Sequence, residues 1–69
     1  WHTVRVDGHD RSAIRQALAE ARAESSRPSL ILCRTVIGHG APTKQGTSAT
    51  HGSPLGAAEI EKTKAAMAW

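Results

Sequence analysis

The feature that most constrains this chain is the way its longest apolar run ends. Leu30 to Ile37 is apolar at Leu30, Ile31, Leu32, Cys33, Val36 and Ile37, then stops at Gly38-His39-Gly40. A near-continuous apolar run of this length reads as a strand covered on both faces. The stretch that follows, Gly38 to Gly56, has five glycines, two prolines and no hydrophobic periodicity. A loop this long in a compact domain is functional or disordered. Leaving the carboxyl end of a strand, where open α/β sheets bind ligands, favours function.

The residues before the run complete a recurring unit. His2 to Val6 alternates polar and β-branched residues and predicts a short strand ended by Asp7-Gly8. Asp10 stands at a helix N-cap, with a carboxylate able to accept a first-turn amide. The helix is expected to run to about Ser25, with Ile14, Leu18 and Ala21 as its buried stripe. Ser26-Arg27-Pro28 stops it, since proline cannot continue a helix and disfavours one just before it. Strand, helix, strand is a βαβ unit, and its crossover makes the strands parallel. A last helix is predicted from Ala57 to about Ala68, with Ile60, Lys64 and Met67 on a narrow stripe. The fold class is therefore α/β: a βαβ unit plus a long loop and a C-terminal helix.

Sixty-nine residues with two tryptophans as the only aromatics make a poor independent core. Cys33 is the only cysteine, so no internal disulfide staples the fold; within an apolar strand it reads as a buried, inert thiol suited to a reducing compartment. The chain is expected to complete its core against polypeptide outside this sequence and to form part of a larger parallel sheet. The net charge of +3 is spread without a basic run or aromatic platform, which argues against a nucleic-acid partner. Trp1-His2-Thr3 lacks the start of a signal peptide, and no apolar stretch approaches the ~18 residues of a membrane span. No membrane partner and an intracellular location are the expectation.

Two nucleotide motifs fail. A dinucleotide fingerprint needs a third glycine where Thr43 stands, and a phosphate loop needs lysine where Thr47 stands. Histidines at 2, 9, 39 and 51 lack the i, i+4 spacing of a helical zinc site, and no carboxylate flanks His39 or His51, so no metal ligand is expected in this chain. His2 and His9 read as solvated or locally bonded, and His39 as a loop side chain or a site residue. His51 differs by position: Gly52 and Pro54 restrict the backbone after it, and a helix start follows. An imidazole there can donate to an anion or exchange a proton, its unperturbed pKa being about 6.5.

Several motifs stand in register: Val6-Asp7-Gly8-His9-Asp10, Thr35-Val36-Ile37-Gly38-His39-Gly40, Pro42-Thr43-Lys44-Gln45-Gly46-Thr47 and His51-Gly52-Ser53-Pro54-Leu55-Gly56. From Trp1 to Trp69 the chain resembles the end of the thiamine-diphosphate-binding domain of transketolases. The resemblance implies a fragment, residues 1–69, of an enzyme that carries a two-carbon ketol unit from a ketose phosphate to an aldose phosphate. It implies that His51 contacts the cofactor diphosphate, lies beside the sugar substrate and acts catalytically in proton movements at substrate hydroxyls. It also implies that Ile37, with Gly38 beside it, packs against thiamine diphosphate. Lys44 faces either a phosphate or solvent. The ligands of the accompanying Mg2+ or Ca2+ lie outside this stretch in the family. The partners implied are sugar phosphates, the remainder of the same polypeptide and a second subunit in a cytoplasmic homodimer.

Two departures stand out: Ser48 where bacterial relatives often carry histidine, and Ala57 where an acidic helix-start residue is common, a change expected to weaken the cap by roughly 1 kcal/mol. Two other classes fit the residues: a different ketol-transferring thiamine enzyme such as a dihydroxyacetone synthase, and a non-catalytic α/β module binding an anion or a protein.

Overall fold

A computed structural model describes residues 1–69, and the chain divides into two compact units, Trp1–Thr35 and Val36–Trp69. In the first unit, β1 (His2–Asp7) is followed by helix α1 (Arg11–Ala23) and β2 (Ser29–Arg34). The strands pair in parallel from His2↔Ser29 to Asp7↔Arg34. The register is pinned at both ends. His2 N–H donates to Pro28 O at 2.9 Å, and its ring Nδ1 lies 2.9 Å from Ser29 Oγ. At the other end Gly8 N–H donates to Arg34 O at 2.7 Å. A Cβ at Gly8 would stand 2.5 Å from the Thr35 methyl and 3.0 Å from Arg34 O, so the chain leaving β1 passes where only glycine fits.

Asp10 caps α1 as the sequence predicts, its Oδ1 accepting Ala13 N–H at 3.1 Å. The helix ends at Ala23, two residues before the expected limit, where Glu24 turns extended and accepts both the hydroxyl and amide of Ser26. That pair of bonds, the hydroxyl first, holds the Glu24 carboxyl below its ordinary 4.5. The buried stripe differs from the expected one. Ala17 is the buried residue, Ile14 and Ala21 are half-buried, and Leu18 is 46% exposed. The helix turns its small residues to the sheet, which allows a close approach, and Leu18 falls one position off that line.

β2 stops at Arg34, not at Ile37: its pairing with β1 ends at Asp7↔Arg34, Gly8 N–H closes the ladder on Arg34 O, and Val36 O is taken up in a turn with His39 N–H. Only one sheet face is covered. Val4, Val6 and Ile31 are half-buried on the α1 side, whereas Leu30 and Leu32 are 45% and 37% exposed on the other. Cys33, expected to be buried, is exposed. It lies near the strand end, and α1 packs more on β1 than on β2.

The second unit begins with consecutive turns, passes through a 3₁₀ turn at Ser48–Thr50 and ends in helix α2 (Ala57–Ala66). Gly56 is the N-cap of α2, with φ +87° and no side-chain cap. Ala57 is thus the first helical residue and not the cap, so the expected capping loss does not arise there. The helix stops two residues short of Ala68. Ala68 adopts φ +53°, and Trp69 N–H returns to Lys64 O at 2.9 Å while Ala68 N–H donates to Ala65 O. This is a Schellman ending with alanine where glycine is usual.

Candidate functional site

Residues 36–46 form a closed turn system. His39 N–H donates to Val36 O, Ala41 N–H to Gly38 O, Gln45 N–H to Ala41 O and Gly46 N–H to Ile37 O at 2.7 Å. Ala41 is 1% exposed and forms the centre of the loop. Ile37, in the first of these turns, is 46% exposed.

Gly38 connects this turn to the segment bearing His51. Its φ is +67°, in the left-handed region, and a Cβ there would stand 2.5 Å from the Thr50 methyl. Thr50 precedes His51, so the glycine lets the neighbour of Ile37 touch the neighbour of His51. His51 closes the 3₁₀ turn, its N–H donating to Ser48 O at 3.0 Å, and its side chain is exposed. The Ser48 group in that bond is backbone, so serine in place of histidine leaves the turn intact. The chain neighbours of His51 and Ile37 thus meet at a left-handed glycine, and both His51 and Ile37 are exposed. That set can offer a hydrogen-bond donor to an anion, a proton acceptor to a hydroxyl and an apolar surface to a ring.

Lys44 does not point freely to solvent. Its Nζ donates to Leu55 O at 2.7 Å, and its backbone O accepts Thr47 N–H and, at 2.6 Å, Thr47 Oγ1–H. His39 is exposed within the turn system, and His9 lies beyond β1, its backbone N–H donating to Asp7 Oδ1. No group of three or more His, Cys, Asp or Glu side chains is arranged to hold a metal ion.

The residue that sequence reasoning missed is Glu59. It sits in the first turn of α2, is 4% exposed and accepts three bonds. Oε1 takes Thr43 N–H at 2.9 Å and Lys44 N–H at 3.2 Å, and Oε2 takes Thr43 Oγ1–H at 2.6 Å. The Thr43 hydroxyl and then its amide hold the carboxyl below its ordinary 4.5, with Lys44 N–H and the charge of Lys62 adding to them against the opposing effect of burial. A signal was present. Glu59 is three residues after the glycine cap, the position from which an acidic side chain in a capping box accepts the cap's backbone N–H. Here the carboxylate accepts Thr43 and Lys44 instead.

Comparison with known proteins adds a second line. The family model described as "Transketolase, thiamine diphosphate binding domain" matches residues 1–69. The whole chain aligns at 56% identity with Transketolase 2 of Xanthobacter flavus, covering 10% of that protein. It aligns over its whole length at 50% with Transketolase 1 of Escherichia coli K12, covering 11%, and at 54% with the transketolase of Geobacillus stearothermophilus, covering 10%. The chain therefore spans about a tenth of the length of these relatives.

Proposed function

This chain belongs to the transketolase thiamine-diphosphate-binding domain family, and from that premise we propose that it is one segment of a transketolase that transfers a two-carbon unit between sugar phosphates. The observation that carries the reading is the agreement over residues 1–69 together with the contact of Thr50 on Gly38, which joins the segments bearing His51 and Ile37. In this reading residues 1–69 are a piece of the cofactor-binding domain. The bare Leu30–Leu32 face and the scarcity of fully buried apolar side chains support it, since Ala17 and Ala41 alone are too small to sustain a core.

The residues present fit one edge of thiamine diphosphate. A ring N–H of His51 suits a diphosphate oxygen, and the exposed side chain of Ile37 suits an aromatic ring, with no Cβ at Gly38 to displace Thr50. When bound, the cofactor supplies the carbanion chemistry of ketol transfer. His51 contributes orientation through that N–H, and its basic ring nitrogen takes a proton from a sugar hydroxyl oxygen and later returns it. Ile37 excludes water from the ring it covers. The Mg2+ or Ca2+ that accompanies a diphosphate is held by residues outside this chain, and the complete enzyme is a cytoplasmic homodimer.

The test is His51→Ala in the full-length protein. Turnover should fall by about 10²- to 10⁴-fold, with thiamine diphosphate affinity reduced and the thermal transition of the cofactor-free protein unchanged. Wild-type turnover and affinity in that variant would remove His51 from the site.

A further inference from the structure

Glu59 is nearly fully buried, yet it takes no part in the chemistry above. We propose that Glu59 is a positioning residue for His51, acting through a hydrogen-bonded relay that runs by way of Lys44, Thr47 and Thr50. The proposal rests on His51 being a site residue as read above.

The relay is continuous. Glu59 Oε1 holds Lys44 N–H at 3.2 Å. Lys44 O receives Thr47 Oγ1–H at 2.6 Å and Thr47 N–H at 3.3 Å. Thr47 O receives Thr50 Oγ1–H at 2.9 Å and Thr50 N–H at 3.3 Å. Thr50 then lays its methyl on Gly38 and hands the chain to His51. Each threonine is bonded to the same carbonyl by both hydroxyl and amide, which fixes its backbone and its rotamer together. Both hydroxyls reach back three residues, an arrangement that stabilises short turns outside helices.

Lys44 grips the His51 segment at both ends. Its carbonyl holds the start, at Thr47, and its ammonium holds the end, at Leu55 O. The stretch from Thr47 to Leu55 is thereby closed into a loop whose base is one residue, and Glu59 clamps that base from the first turn of α2. With both carboxylate oxygens engaged, the clamp has a defined orientation. This gives Lys44 a role different from a direct phosphate contact: its charge serves a backbone carbonyl, and its effect on the site passes through the loop.

Amide hydrogen exchange on the full-length, cofactor-free protein tests the inference. Glu59→Ala should speed exchange about tenfold or more at Thr43 and Lys44, and severalfold at Thr50 and His51. Glu59→Gln, which keeps one oxygen for the two amides, should restore most of the protection. Thr47→Val should speed exchange at Thr50 and His51 while sparing Thr43, and serves if Glu59→Ala does not fold. Thiamine diphosphate titration of the folded variants should show an affinity about tenfold weaker in Glu59→Ala and Thr47→Val, a change that a merely structural residue would not produce in folded protein. Acceleration confined to Thr43 and Lys44, or unchanged affinity beside a wild-type protein that binds the cofactor, overturns the positioning role. A wild-type protein that binds no thiamine diphosphate overturns instead the functional reading on which it rests.

Discussion

Residues 1–35 and residues 36–69 are similar in length and equally poor in buried bulk, but they are held together differently. The first unit uses the backbone: a parallel ladder from His2 to Asp7, a helix with an aspartate cap and a crossover of ordinary length. The second uses side chains to satisfy backbone. Glu59 binds two amides, the Lys44 ammonium binds a carbonyl, and Gln45 Oε1 accepts Gly40 N–H at 3.3 Å. A backbone ladder tolerates changes of side chain, because its bonds belong to every residue type but proline. A fold built on a few polar side chains does not, since losing one leaves part-buried amides without their partner. The second unit carries the candidate site, and this kind of construction holds a loop in one shape without a large core.

The difference can be attacked most directly at Gly38. Gly38→Ala demands a left-handed alanine and pushes its Cβ into Thr50, at a cost of about 2–3 kcal/mol. In the full-length protein, faster exchange should be confined to residues 36–56; a spread into β1 and β2 would show that the two units respond as one.

Acid sharpens the same contrast. Glu59 has a folded pKa below 4.5, so its bonds stabilise the folded state above the unfolded value and are lost as pH falls through the lowered one. Exchange at Thr43 and Lys44, corrected for the intrinsic effect of pH, should rise below about pH 4.5 before that of the β1–β2 ladder. Simultaneous loss in both would refute a locally held second unit.

Asp10→Ala tests the first unit alone. Loss of the cap should cost about 1 kcal/mol, seen as faster exchange in the first turn of α1 with Thr43 and His51 unmoved. The smallest effect is a gain: Ala68→Gly should relieve left-handed strain at the end of α2 and stabilise it by somewhat under about 1 kcal/mol. A destabilised helix end in that variant would mean that the Schellman geometry does not persist in the full-length protein.

The legibility of the two units follows the same division. The strand at His2, the cap at Asp10 and the stop at Pro28 were readable because each rests on residues a few positions apart. The α1 stripe was displaced by one position, since alternatives among Ile14, Ala17, Leu18 and Ala21 differ only in how closely the helix approaches the sheet. At the candidate site, His51 and Ile37 stood out from their motifs, and Gly38 from its place at the end of an apolar run. The Lys44 ammonium finds its partner in Leu55 O and the Glu59 carboxylate finds its donors at Thr43 and Lys44, and no local pattern says which distant backbone groups a charged side chain will meet.

The sequence by itself determined the α/β class, the parallel pairing implied by a crossover and the helix start at Asp10. Only the tertiary structure decided that β2 ends at Arg34, that Cys33 is exposed, that Ala17 takes the helix–sheet contact and that Glu59 anchors Lys44 and Thr43. The physical reason is range. Periodicity and caps are set within a turn or two of chain, whereas a strand needs a neighbour to continue and a buried carboxylate needs donors brought from sixteen residues away.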